Sequence, residues 1–253
     1  MTGLYVLTER VVHDALRNDL PFAVLSPAVN FVVFNFMLGH VIDTGGMSYP
    51  QYVLPVVIIQ VIFLGGLTTV ERAAHDERSD FGDRLRTLPI SGVIPLMARM
   101  MYCLFRGTLG LLAALVVGYV FGFRMFGGFI YAAAFAVLVL MLTLALSLAA
   151  DAAGVLSVAW QGGIASSGVL TQLLLVPQML LVMLSTGMAP ADSFPDWLHP
   201  FVRYQPVSQV TQTLRGFATG HVVVSNLATS LAWCLGLLVV FGAIAVRVQG
   251  RPQ

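Results

Sequence analysis

About 20 consecutive apolar residues cross the hydrocarbon core of a bilayer, and a charge at the centre of such a helix costs about 2.5–3.5 kcal/mol. Long uncharged runs therefore constrain a chain more than any other feature. This chain has six, at residues 20–42, 44–70, 107–123, 125–150, 152–191 and 216–246. With 58% hydrophobic and only 10% charged residues over 253 positions, a soluble domain is excluded. The sequence reads as one all-α integral membrane domain, 1–253, with six transmembrane helices at about 21–38, 53–70, 97–121, 129–150, 168–188 and 227–246.

Between the second and third runs the charges concentrate. Nine of the 25 charged residues fall between Glu71 and Arg86, so the segment 71–95 must face water. All 13 basic residues are arginine. With this segment in the cytoplasm, ten arginines lie inside and only Arg124, Arg203 and Arg215 outside, which places both termini in the cytoplasm and the protein in the plasma membrane. Residues 1–19 are polar and mixed in charge, unlike a cleaved signal peptide. They carry Leu4, Leu7, Val11, Ala15 and Leu16 on one helical face, as an interfacial helix would.

Polar residues inside the runs call for partners. Asn30 and Asn35 in the first span are expected to face other helices or a cavity. Arg99 and Arg106, early in the third, read as snorkelling or paired anchors at the inner interface. Asp151 ends the fourth span, where a carboxylate at a helix C-terminal end is unfavourable unless something compensates it; simple solvation in the following loop is the favoured reading. Pro177 should kink the fifth span. Residues 189–225 then combine Pro190, Pro195, Pro200 and Pro206 with Trp197, Phe201 and Tyr204. Prolines and aromatics together suit short interfacial or re-entrant helices at headgroup depth.

Catalytic patterns are nearly absent. Residues His75-Asp76-Glu77 do not form a zinc-binding H-E-x-x-H, and the five histidines (13, 40, 75, 199 and 221) lie in separate segments. Cys103 and Cys234 sit within apolar segments without metal-ligand or disulfide spacing, as ordinary core residues do. Without a lysine there is no P-loop, so any ATP is hydrolysed by another polypeptide. No partner in nucleic acid is indicated.

Glu77-Arg78, Gly82, Arg84-Leu85, Thr87-Leu88-Pro89 and Ile90-Ser91 resemble the signature loop of ABC-2 type transporter permeases. A second stretch resembles the daunorubicin-resistance branch of that family, which includes actinobacterial exporters of cell-envelope lipids. It comprises Ser185-Thr186-Gly187, Phe194-Pro195-Asp196-Trp197-Leu198, Gln205-Pro206-Val207-Ser208 and Leu214-Arg215-Gly216. In the family the loop commonly reads Glu-Arg-Glu before a small residue and Gly; here Ser79-Asp80-Phe81 stands between Arg78 and Gly82, and Asp80 is the available second carboxylate.

The resemblance implies a cytoplasmic coupling helix between spans two and three and re-entrant helices containing Pro195, Trp197, Pro206, Arg215 and Gly216. The coupling helix would dock on an ATPase subunit, which binds the ATP and magnesium; this chain would hold no cofactor of its own. Glu77, Arg78, Asp80, Asp83 and Arg84 would supply charge complementarity to that partner and Phe81, Leu85 and Leu88 an apolar anchor, with Gly82 and the Leu88-Pro89 turn in the same interface. Two permeases, identical or related, would pair in membrane lipid and rock around a pathway lined by Asn30, Asn35 and apolar side chains. The cargo expected is a hydrophobic drug such as an anthracycline, or a lipid. Residues alone leave open an intramembrane enzyme, which needs an embedded catalytic pair, and a non-transporting scaffold subunit.

Overall fold

A computed structural model describes residues 20–38, 47–78, 93–159 and 167–249. The expected interfacial helix 1–19 lies outside these residues. Among them helices are the only regular structure: α1 (Leu20–Leu38), α2 (Tyr49–Arg78), α3 (Val93–Val120), α4 (Gly128–Ala159), α5 (Ser167–Met183), α6 (His199–Tyr204), α7 (Pro206–Thr219) and α8 (Val224–Gln249), with single 3-10 turns at Ala191–Ser193 and Asp196–Leu198.

Among the described residues four helices are long and apolar enough to cross a membrane, over Tyr49–Glu77, Ile94–Val120, Gly128–Val158 and Val224–Arg247. At the other two expected spans the apolar helices are shorter, Pro21–Met37 and Thr171–Met183. At 1.5 Å per residue the 17 residues of α5 reach about 25 Å, less than the roughly 30 Å of a hydrocarbon core.

α2 is the centre of the molecule, the most buried of the four long helices, and it packs on α1, α3, α4, α5 and α7. Its residues Val53, Leu54, Val56, Val57, Ile58 and Ile59 are buried on every side, which explains an apolar run without amphipathic spacing. α4 lies parallel to it. Gly66 faces Ala150, and at Gly154 the helices meet so closely that an added Cβ would stand 2.5 Å from the Val70 carbonyl. α3 runs antiparallel, with Leu54 near Gly118, Gly65 near Arg106 and Thr69 touching Cys103. α1 packs mainly on α3, where Phe31 and Phe36 meet Phe121 edge to face.

Two boundaries differ from expectation in the same way. α2 does not stop at Val70 but continues through Glu71-Arg72-Ala73-Ala74-His75-Asp76-Glu77 to Arg78, and α4 continues past Asp151 to Ala159. Charge ends a span without ending a helix: Glu, Arg and Ala are strong helix formers. The extension is also packed, because Ala73 and Ala74 are fully buried and Gly154 lies against them. With the start of α3 at Val93, three helices thus run on beyond the apolar zone as a short stem.

Candidate functional sites

Three groups of polar residues stand out, at the two ends of the bundle and in one pocket between them. At the charged end, Arg99 of α3 binds Asp151 of α4, Nε to Oδ1 at 2.6 Å, with Nη2 donating to Oδ2 at 3.3 Å. The same guanidinium stands 3.7 Å from Asp76 Oδ2 of α2. Asp151 has no exposed side-chain surface and Arg99 only 17%, whereas Asp76 is 47% exposed. Asp151 is therefore not a solvated loop carboxylate but the buried member of an ion triad tying together the three stem helices. Next to it Arg72 lies over the Tyr102 ring, 4.7 Å from its centroid, so α2 and α3 are joined again.

The stem leads into the expected ATPase-facing segment. Glu77 is half-buried in the last turn of α2, and Arg78 is that helix's final residue. Asp80, Phe81, Gly82, Asp83, Arg84, Leu85, Leu88 and Pro89 lie outside the described residues.

At the opposite, proline-rich end, Arg215 of α7 donates three hydrogen bonds of 2.9 Å, from Nε to the Tyr52 carbonyl, from Nη1 to that of Thr186 and from Nη2 to that of Gly187. Its guanidinium also stacks 3.5 Å from the centroid of the Tyr52 ring, whose hydroxyl donates to the Thr186 carbonyl at 2.8 Å. The planar five-donor fork suits this work: one side chain satisfies carbonyls from α2 and from the turn after α5. Around it, Ser208 Oγ accepts from the Thr186 amide, Gln205 donates to the Leu184 carbonyl, and Gln212 reaches both Thr186 and Asn226 of α8. Gln51 and Arg124 exchange two bonds through the Gln51 amide and the Arg124 main chain, tying the start of α2 to the α3–α4 turn.

Two prolines and two glycines set this end. Pro195 precedes the second 3-10 turn, and Pro206 occupies the first turn of α7, where its missing N–H is harmless. Gly216 allows the chain to fold back, since a Cβ there would meet the His221 carbonyl at 2.9 Å. Gly220 ends α7 at φ +79°, a left-handed conformation natural only to glycine. Trp197, Tyr204, Phe126 and Phe129 are each at least 70% exposed here, as residues of a headgroup belt are.

Neither asparagine of α1 lines the pocket between the helices. Asn30 Nδ2 donates at 2.9 Å to the Ser26 carbonyl of its own helix, and Asn35 is half-buried further along. The pocket instead collects residues from α1 to α4, among them Ala23, Gly65, Thr69, Arg106, Thr143 and Ser147.

A helical bundle with long apolar spans, a charged stem and a locked proline-rich end describes a polytopic membrane protein, and the family follows from sequence. Residues 21–247 match the model of the ABC-2 family transporter proteins, so this chain belongs to that family, a transmembrane permease subunit as distinct from the ATPase. It is 28% identical, over 98% of its own length and 89% of the relative's, to the doxorubicin resistance ABC transporter permease protein DrrB of Mycobacterium tuberculosis. The probable doxorubicin resistance permease DrrC of the same organism is 31% identical over 86% of this chain and 76% of the relative. The daunorubicin resistance permease DrrB1 of Streptomyces coeruleorubidus is 23% identical over 89% and 77%.

Proposed function

We propose that this chain is the membrane-spanning subunit of an ATP-driven exporter of hydrophobic compounds, either an anthracycline-like drug or a cell-envelope lipid. In this reading it spans the membrane six times with both termini in the cytoplasm, pairs with a second permease, and is energised by a separate ATPase that binds the ATP and magnesium. The doxorubicin and daunorubicin resistance for which the relatives are named supports the first cargo; the apolar spans suit either.

The observation that carries the coupling is the stem. In sequence, Glu77 to Pro89 join the end of α2 to the start of α3, and those two helices are cross-tied to α4 by Arg99, Asp151 and Asp76. A displacement of that segment by an ATPase is delivered to three helices together. Glu77, Arg78, Asp80, Asp83 and Arg84 would face the ATPase with charge, and Phe81, Leu85 and Leu88 with apolar surface, around Gly82 and Pro89. Asn30 and Asn35 are offered to the pathway between the paired permeases.

The test is co-purification of the cognate ATPase with wild type and with a Glu77→Arg, Phe81→Asp double variant. Wild type should retain the ATPase, and the variant should reach the membrane in normal amount without it. Failure of wild type to hold any ATPase overturns the exporter reading.

A further inference from the structure

Among the described residues, Arg106 is the one cation lining the pocket between α1 and α4, no carboxylate pairs with it, and its buried Nε has no hydrogen-bond partner. The other half-buried arginines are engaged with the protein itself, for Arg99 holds Asp151, Arg72 covers Tyr102, and Arg215 holds three carbonyls. A guanidinium with five donors and no acceptor of its own calls for an anion.

The surroundings are shaped for one. Gly65 leaves the space the guanidinium occupies, since a Cβ there would stand 2.5 Å from Arg106 Nη1. Gly107 leaves similar room beside Thr143, and Thr69, Thr143 and Ser147 line the same cavity. Its remaining wall is apolar, from Ile58, Val61, Ile62, Leu111 and Val139. The depth also fits: the Ala23 carbonyl of α1 lies beside Gly110, one turn beyond Arg106, so the guanidinium is level with the first residues of α1, where the apolar zone begins. Phe22, Leu25, Met101 and Phe105 are exposed on the same stretches of α1 and α3, as lipid-facing residues are.

We infer that this pocket binds a membrane amphiphile by its acidic headgroup, with Arg106 gripping a phosphate or carboxylate and the apolar wall taking the adjoining chain. Binding stands without the exporter reading; only the distinction between a resident lipid and a transported molecule rests on it.

Native mass spectrometry of the full chain, titrated in detergent with phosphatidylglycerol or phosphatidylcholine, tests the site. Wild type should hold one phosphatidylglycerol in preference to phosphatidylcholine. Arg106→Gln should weaken that occupancy at least about tenfold, the usual range for a lost charge-assisted contact, and Arg106→Lys should restore part of it. Equal retention of the two lipids by wild type overturns the site whatever happens to the variants, and so does unchanged occupancy in Arg106→Gln. Adding ATP to the permease–ATPase complex separates the sources. Phosphatidylglycerol that stays bound is a resident lipid, whereas release of pre-bound dodecyl phosphate, a soluble acidic amphiphile, identifies cargo; either result supports the site.

Discussion

Two arginines carry more of this molecule than their neighbours do, and each fails in its own way when changed. Removing the carboxylate from Asp151 leaves Arg99 charged in a largely closed site, and breaking a buried pair from one side costs about 3–5 kcal/mol. Asp151→Asn should therefore lower the thermal midpoint in detergent sharply, while Arg99→Met with Asp151→Leu should recover much of the loss. Equal losses in single and double variants would show that the pair does not couple. At Arg215 the geometry matters more than the charge. Lysine has one point of donation where the fork reaches three carbonyls, so Arg215→Lys should destabilise by about 2 kcal/mol, read from the same melting curves. The sequence marks Arg99 as a paired or snorkelling anchor, but in neither case are the partners visible there. Asp151 lies 52 positions from Arg99, and the carbonyls that Arg215 satisfies are backbone groups, which leave no trace in residue type. Arg215 itself was singled out by family resemblance, without the contacts that explain it.

Between helices, glycines decide how closely the elements approach. Gly154→Ala would push a methyl into the Val70 backbone, which cannot swing aside as a side chain can, so α2 and α4 must separate at a cost of about 1–3 kcal/mol. Gly236 of α8 has nothing within 4 Å of an added Cβ, and Gly236→Ala should be neutral or should gain up to about 1 kcal/mol of helix propensity. A stability comparison of the two variants separates packing from propensity. The elements themselves were largely legible, since uncharged runs locate α2, α3, α4 and α8, and alternating prolines and aromatics mark the short helices after α5. Their ends were not. A rule that closes a span at its first charge stops α2 at Val70 and α4 at Ala150, because it measures compatibility with lipid and says nothing about hydrogen bonding within the helix.

For the whole molecule, the arrangement of charge predicts a sidedness that can be read directly. Cys103 and Cys234 are buried, so single cysteines placed at His75 and Ser193 should stand out against a low background. A membrane-impermeant maleimide applied to intact cells should label Ser193→Cys at once, and His75→Cys only after permeabilisation; the reverse pattern would invert the topology. The two ends also differ mechanically. At Tyr52 the central helix is bolted to the rest of the bundle through Arg215, while 26 residues further on, at Arg78, it ends where the segment proposed to meet the ATPase begins. A rod held at one end swings most at the other: a tilt of about 10° around Tyr52 would carry Arg78 sideways by about 7 Å at 1.5 Å of rise per residue. In the proposed exporter the bolt would serve as a fulcrum, so that a stroke of a few ångströms from the ATPase would be matched to small angular changes among the packed helices, with the far end scarcely moving.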